Sequence, residues 1–339
     1  MSSVRRALVL SIAALLLVAL ASPGFASKPL KVAIVFDIGG LGDQSFNDSA
    51  YEGLKRVQKE LGAEIAYVES RTPSDYEPNL AMMARSGYDM VWAIGFLMAD
   101  ALEKVAPQFP NTKFGIIDFA YDDAKYAGPL KNVMGVVYKE EEGSFLVGVI
   151  AAMTTKTNRV GFLGGMQFPL IEKFEAGFKA GVWKVNPSIT ILTNYAGSFN
   201  DPAKGKTIAL SMFRQRCDVI YHASGGTGIG MIEAAKENGF WAIGVDSDQY
   251  HLAPKQVLTS MIKRVDVGVF EGTKLMAEGK FKAGTTVLGL AADGVGFAPT
   301  TSKYASPAAI AAAEEWASKI KKGEYVVPEL PAEAAKLAK

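Results

Sequence analysis

The sequence predicts an α/β protein of two lobes, each built on a mostly parallel sheet buried on both faces. Three observations predict it. Short apolar, β-rich runs alternate with helical patterns along almost the whole chain, the grammar of βαβ units. The same alternation starts afresh after a boundary near residues 138–143. Two late stretches, "VLTSMIK" and "TTVLGLAADGVGFAP", are too extended for a tail, so further crossings between lobes are expected around residues 260–265 and 288–300. One lobe is then expected to hold residues 31–138 plus about 265–288, and the other 143–260 plus about 300–330.

Residues 1–26 stand apart. Arg5 and Arg6 precede an apolar run from Ala7 to Ala21, which Pro23-Gly24 breaks before Ala26. About fifteen apolar residues fall short of the roughly 20 a spanning helix needs, and the layout is that of a cleavable secretory signal. A retained membrane anchor is the alternative, and Ala19-Leu20-Ala21 offers a second cut. Export across a bacterial inner membrane, followed by cleavage, is the expectation.

In the first lobe "LKVAIVFD" reads as a buried strand and "NDSAYEGLKRVQKELG" as a helix ending near Gly62. "AEIAYVES" is the next strand, and "SDYEPNLAMMARSG" a helix with Ser74 as a candidate cap and Gly87 as its stop. "YDMVWAIG", "TKFGIID" and "NVMGVVY" are strands, with the helical "FLMADALEKVAPQFP" after the first of them. "EEEGSFLVGVIAAMTTKT" is a helix that opens the second lobe. There "RVGFLGG", "ITILTNYAG", "CDVIYHAS" and "FWAIGVD" read as strands, separated by "PLIEKFEAGFKAGVWKVNP", "DPAKGKTIALSMFRQR" and "GIGMIEAAKENG" as helices. "SPAAIAAAEEWASKIKKGE" is a last helix packed back on a lobe, and "LPAEAAKLAK" is expected to fray.

Composition excludes several function classes. Without Arg5 and Arg6 the formal charge falls from +1 (36 Lys and Arg against 35 Asp and Glu) to −1 (34 against 35). That balance offers nothing to nucleic acid or an anionic membrane. Cys217 is the one cysteine, so there is no disulfide framework, and none lies near the cut to carry a lipid anchor. His222 and His251 have no spaced partners for zinc and read as packing or surface residues. Neither a metal nor a cofactor is expected.

The glycine loop "FDIGGLGDQSFNDSAYEG" first suggests a phosphate cradle. Its Gly39, Gly40 and Gly42 miss the dinucleotide spacing, and Asp37, Asp43 and Asp48 would repel a pyrophosphate. "SGGTGIG" is mis-spaced too, and no Walker lysine follows either loop. There is no nucleophile elbow and no Cys/His pairing. Asp37, Asp118 and Asp246 each end a predicted strand; they could form an acid/base set, cap following helices, or accept hydrogen bonds from a ligand. Ser-Phe-Asn-Asp occurs twice, at Ser45–Asp48 and Ser198–Asp201, each time between a strand and a helix. Phe rings and carboxylates together at the carboxyl edge of an α/β sheet would suit a flat, hydroxyl-rich heterocycle such as a nucleoside.

"GGLGDQSFNDSAYEGL", "EEEGSFLVGVIAAMTTKT", "VGFLGGMQFPLIEKFEAGFKAG", "ASGGTGIGMIEAAKE" and "AIGVDSDQ" resemble, in that order, the signature blocks of the basic membrane protein family. These are purine-nucleoside-receptor-like substrate-binding components of ABC importers, and the resemblance runs from about Lys31 to Phe297. It implies a type I periplasmic binding protein: two Rossmann-like lobes joined by three crossing segments, with ligand held between them. On these residues it implies that Phe46 stacks on a base, Asn47 bonds it and Asp118 reads its edge. Phe199 would close the other face, Asp246 would hold ribose hydroxyls beside Lys263, and Gly226 would let backbone approach the sugar. Asp37 would border the pocket.

The resemblance implies a non-enzymatic, monomeric receptor for guanosine, inosine or adenosine, feeding an ABC permease in the inner membrane. Alternatives on the same fold are a receptor for a sugar or another small polar signal, or one that docks on a membrane sensor; an enzyme of nucleoside metabolism is the rival from another class. Two departures from the family concern this chain. The signal carries no cysteine, which implies a freely diffusing periplasmic protein, and Gln44 and Phe119 replace a common Lys and an acid at the rim.

Overall fold

The computed structural model describes residues 28–121 and 130–338, so the signal-like residues 1–26 lie outside the described residues. The first lobe opens with β1 (Lys31–Phe36), α1 (Phe46–Leu61), β2 (Glu64–Glu69), α2 (Tyr76–Arg85), β3 (Met90–Ile94), α3 (Ala99–Val105), β4 (Lys113–Ile117) and β5 (Val133–Tyr138). The second follows with α4 (Glu140–Thr154), β6 (Arg159–Gly164), α5 (Pro169–Val185), β7 (Thr190–Tyr195), α6 (Pro202–Arg214), β8 (Val219–Ala223), α7 (Thr227–Asn238), β9 (Trp241–Asp246) and β10 (Val257–Lys263). The chain then returns to the first sheet through α8 (Val265–Ala277) and β11 (Gly284–Leu288), and ends on the second with β12 (Val295–Phe297), α9 (Pro307–Lys321) and α10 (Pro331–Ala334).

Among the described residues the strands form two six-stranded sheets, ordered β11-β5-β4-β3-β1-β2 and β12-β10-β9-β8-β6-β7. The permutation is the same in both. Every pairing is parallel except β10 with β12. Val32–Phe36 are fully buried because helices cover both faces of the sheet, which is why β1 reads as one apolar run. The outer strands β2 and β7 are only partly buried, and their sequences mix polar and apolar residues accordingly.

The return of α8 to the first lobe is enforced by packing. A Cβ on Gly53 of α1 would lie 2.5 Å from the Asp266 carbonyl oxygen, so only glycine lets the two helices approach this closely. Trp92, fully buried on β3, donates its indole N–H to Thr273 Oγ1 of α8 at 2.9 Å.

Three local expectations need correction. Ser74 does not cap α2: Asp75 accepts from the backbone N–H groups of Arg71 and Thr72 (2.9 and 3.0 Å), and a 3₁₀ turn over Pro73–Asp75 leads into the helix. The helical stretch after β3 is broken into 3₁₀, α and 3₁₀ pieces, the last containing Pro107. The C-terminal segment does not fray at its start, since α10 packs on α5 with Ala334 fully buried. Gly62 and Gly87 do end their helices at positive φ (66° and 76°).

Candidate ligand-binding site

The carboxyl ends of both sheets face one another, and a cavity lies between them. Its enclosed volume is about 70 Å³. The lobes touch around it. Phe96 of the first meets Phe168 of the second edge to face at 5.2 Å, and Gly39 approaches Asn200.

Seven of the eight residues singled out from the sequence line this cavity: Asp37, Phe46, Asn47, Asp118, Phe199, Asp246 and Lys263. Gly226 does not. Its neighbour Gly225, at φ +54°, takes that place in the turn after β8. None of the three strand-end aspartates caps a helix. The capping role at α1 falls to Asp43, which accepts from the N–H groups of Ser45, Asn47 and Asp48 (3.0, 2.9 and 3.1 Å). Asp37 instead accepts from the Tyr76 hydroxyl.

The two Phe residues arrive differently, although both sit in Ser-Phe-Asn-Asp. Phe46 is the first residue of α1, after β1; Phe199 precedes α6, after β7. β1 is fifth in its sheet and β7 sixth in the other, so the two copies are not structurally equivalent. Phe199 rests on backbone: a Cβ on Gly165 would lie 2.3 Å from its ring. Phe96 and Phe174 add two rings that the sequence reading overlooked, although the helical spacing of Phe174 with Ile171 and Leu170 marks one face of α5.

Charge is concentrated around Lys263, the last residue of β10 and only 1% exposed. Its ammonium donates to Asp118 Oδ2 at 2.6 Å and pairs with Glu140 Oε1 at 3.0 Å. The rings of Phe46, Tyr138 and Phe174 surround it, with centroids at 5.3, 5.1 and 5.4 Å. Burial alone would depress the lysine, but Asp118, Glu140 and Asp246 outweigh it and raise the lysine above its ordinary value. Burial raises Asp118, with Lys263 pulling against it. Burial likewise pushes Asp246 up to about 7, opposed by Lys263 and by the hydrogen bond from Ser45. Glu140 went unnoticed in the sequence because three consecutive glutamates opening a helix read as dipole-favouring acids on a solvated turn.

Two acceptors remain open in the wall. Asn47 Oδ1 and Asp118 Oδ1 are buried and make no hydrogen bond within the protein, an expensive condition unless something else donates to them. The chemistry on offer is therefore aromatic stacking plus acceptance of N–H and O–H groups. Acids outnumber Lys263, the single buried cation among the described residues, which disfavours a phosphorylated ligand. Two glycines of "SGGTGIG" are consumed by packing: Gly228 leaves room for the His222 ring and Gly230 for the Pro202 carbonyl. No group of three metal-ligating side chains occurs among the described residues, and no described helix is long and apolar enough to cross a membrane.

Residues 30–330 match the Bmp family, described as "ABC transporter substrate-binding protein PnrA-like". The chain belongs to that family. Bmp proteins are extracytoplasmic solute-binding components of ABC transporters rather than enzymes. A Lactococcus lactis relative named ABC transporter nucleoside-binding protein BmpA is 39% identical over 285 residues, covering 78% of this chain and 80% of its own. A Pyrococcus abyssi relative named an uncharacterized lipoprotein is 36% identical over 288 residues, covering 80% and 69%. A solved ABC transporter solute-binding protein from Aeropyrum pernix superposes with a TM-score of 0.82 at 31% identity, covering 91% of this chain and all of that one. The type I architecture of the Bmp fold is thus shared with a solved receptor.

Proposed function

We propose that this Bmp protein captures a purine nucleoside (guanosine, inosine or adenosine) between its lobes and delivers it to an ABC permease. One observation carries the reading: an aromatic-walled cavity presents two buried acceptors, Asn47 Oδ1 and Asp118 Oδ1, that the protein itself leaves unpartnered. A base with donor N–H groups satisfies them while stacking against Phe46 and Phe199. Asp246 accepts from ribose hydroxyls, with Lys263 beside it. A free base would leave Asp246 with Ser45 as donor but without the ribose hydroxyls, which is the basis of rejection. The Lactococcus lactis relative's name supports the ligand class.

Catalysis on the bound molecule has little support in the geometry. Ser224 lines the cavity and lies 3.3 Å from His222 Nδ1, but the third partner of that pair is the neutral amide of Gln249. Burial lowers His222 to about 4, which makes it a poor base. We read the protein as a monomer working in the periplasm. Isothermal titration with guanosine, inosine, adenosine, uridine and adenine tests the function. Purine nucleosides should bind tightest, with adenine at least tenfold weaker; equal or tighter binding of adenine refutes the ribose assignment.

A further inference from the structure

A backbone carbonyl of the first lobe is gripped by two side chains of the second. Gln44 stands at φ +54°, in the left-handed region that a non-glycine residue adopts only when its surroundings hold it there. Its carbonyl oxygen accepts from Ser247 Oγ at 3.1 Å and from Gln249 Nε2 at 3.0 Å. Next along the chain, the Ser45 hydroxyl donates to Asp246. These bonds join residues 44–45 to residues 246–249 across the cleft.

Gln249 is fully buried and its amide can point only one way. Its Oε1 accepts from the Val245 N–H at 3.0 Å and from His222 Nε2 at 2.9 Å, which leaves Nε2 to face Gln44. With Nε2–H of His222 donating, Nδ1 is the acceptor for the Ser224 hydroxyl at 3.3 Å. Ser224 and Val245 both line the cavity. A continuous chain of hydrogen bonds therefore runs from the cavity wall, through a buried neutral imidazole, to the contact between lobes.

We propose that Gln249 and Ser247 are positioning residues that clasp the Gln44 carbonyl when the lobes close, and so govern how long a ligand is retained. The proposal rests on the reading of the protein as a cleft-closing receptor. A contact made only in the closed form slows escape without affecting encounter with the open form. Hydrogen bonds of this kind contribute enough to change a rate by about three- to tenfold.

The test compares the parent with Ser247→Ala, Gln249→Met and the double variant, using inosine as the probe in stopped-flow binding. Dissociation should quicken about three- to tenfold in each single variant and further in the double, with association within about twofold of the parent. A purely structural Gln249 would lower the melting temperature and the active fraction but leave the dissociation rate alone. Dissociation within about twofold of the parent in both single variants overturns the proposal. Should the parent bind no nucleoside, the nucleoside reading fails, and a spin-label pair with one label per lobe decides the clasp. The variants should then lose short interlobe distances, and unchanged distance distributions overturn it.

Discussion

Asp118 and Asp246 reach across the cleft in opposite directions. Asp118 belongs to the first lobe and bonds Lys263 of the second at 2.6 Å; Asp246 belongs to the second and accepts from Ser45 of the first. They end β4 and β9, the third strand of each sheet, and both have left-handed backbones, with φ of +68° and +64°. That conformation costs about 1–3 kcal/mol at a non-glycine residue, although aspartate tolerates it better than most. It turns both carboxylates into the space between the lobes. Each acid thus spends one oxygen on the opposite lobe, and Asp118 keeps the other free.

The Lys263 cluster should behave as one unit in stability measurements. Lys263→Met leaves Asp118 and Glu140 buried without their cation and should destabilise the protein by about 3–5 kcal/mol in urea unfolding. Adding Asp118→Asn removes one of those stranded charges and should recover part of the loss. Additive losses in the double variant would show that Lys263 and Asp118 are not coupled.

Phe46→Ala tests the stacking wall. A base stacked on an aromatic ring contributes about 1–3 kcal/mol, so nucleoside affinity should fall about fivefold to 150-fold in calorimetry. A ligand held only by hydrogen bonds, such as a sugar, would scarcely notice the change.

Gly165→Ala should act on the opposite wall without touching the ligand. The new methyl would meet the Phe199 ring at 2.3 Å, and backbone on one side leaves the ring to move. Overpacking of this kind costs about 1–3 kcal/mol, and nucleoside affinity should drop with it. Undiminished affinity would remove Phe199 from the site.

The pH dependence has a definite sign. Burial pushes Asp246 up to about 7 and Asp43 up to about 6. Unfolded, both lose their protons near the ordinary carboxylate value, so their contribution to stability falls as pH rises from about 4 to about 7. His222 works the other way: burial lowers it to about 4, so its contribution is lost as pH falls from about 6.5 to about 4. Relative to the parent, Asp246→Asn should gain stability as pH rises from about 4 to about 7, by at most about 1.4 kcal/mol per pH unit. A difference that does not change with pH would show that Asp246 is not buried as described.

Much of this architecture was legible because βαβ units write themselves plainly. The buried run of β1 and the glycine stops at Gly62 and Gly87 follow from local rules. Asp118 and Asp246 could be found because each stands where a strand ends and a loop begins, and Phe46 because it opens the helix that follows the glycine loop. What escaped depends on packing between distant segments. Which of Glu140, Glu141 and Glu142 faces Lys263 is decided by how α4 lies against α5 and β10. The Ser-Phe-Asn-Asp repeat led to two rings of the cavity, although its two copies follow strands that do not correspond. Gly225 and Gly226 cannot be distinguished until the turn after β8 is seen. Gln249 carries no local signal at all; its importance lies in facing Gln44, more than two hundred residues away.

The central claim is that the open acceptors of Asn47 and Asp118 await the base of a nucleoside. A crystal structure with guanosine tests it most directly. The account predicts the base against Phe46 and Phe199, its N1–H and N2–H donors within hydrogen-bonding distance of Asp118 Oδ1 and Asn47 Oδ1, and the ribose hydroxyls on Asp246. Guanosine bound outside this cavity, or with its ribose on Asp118 and its base away from both rings, would contradict it.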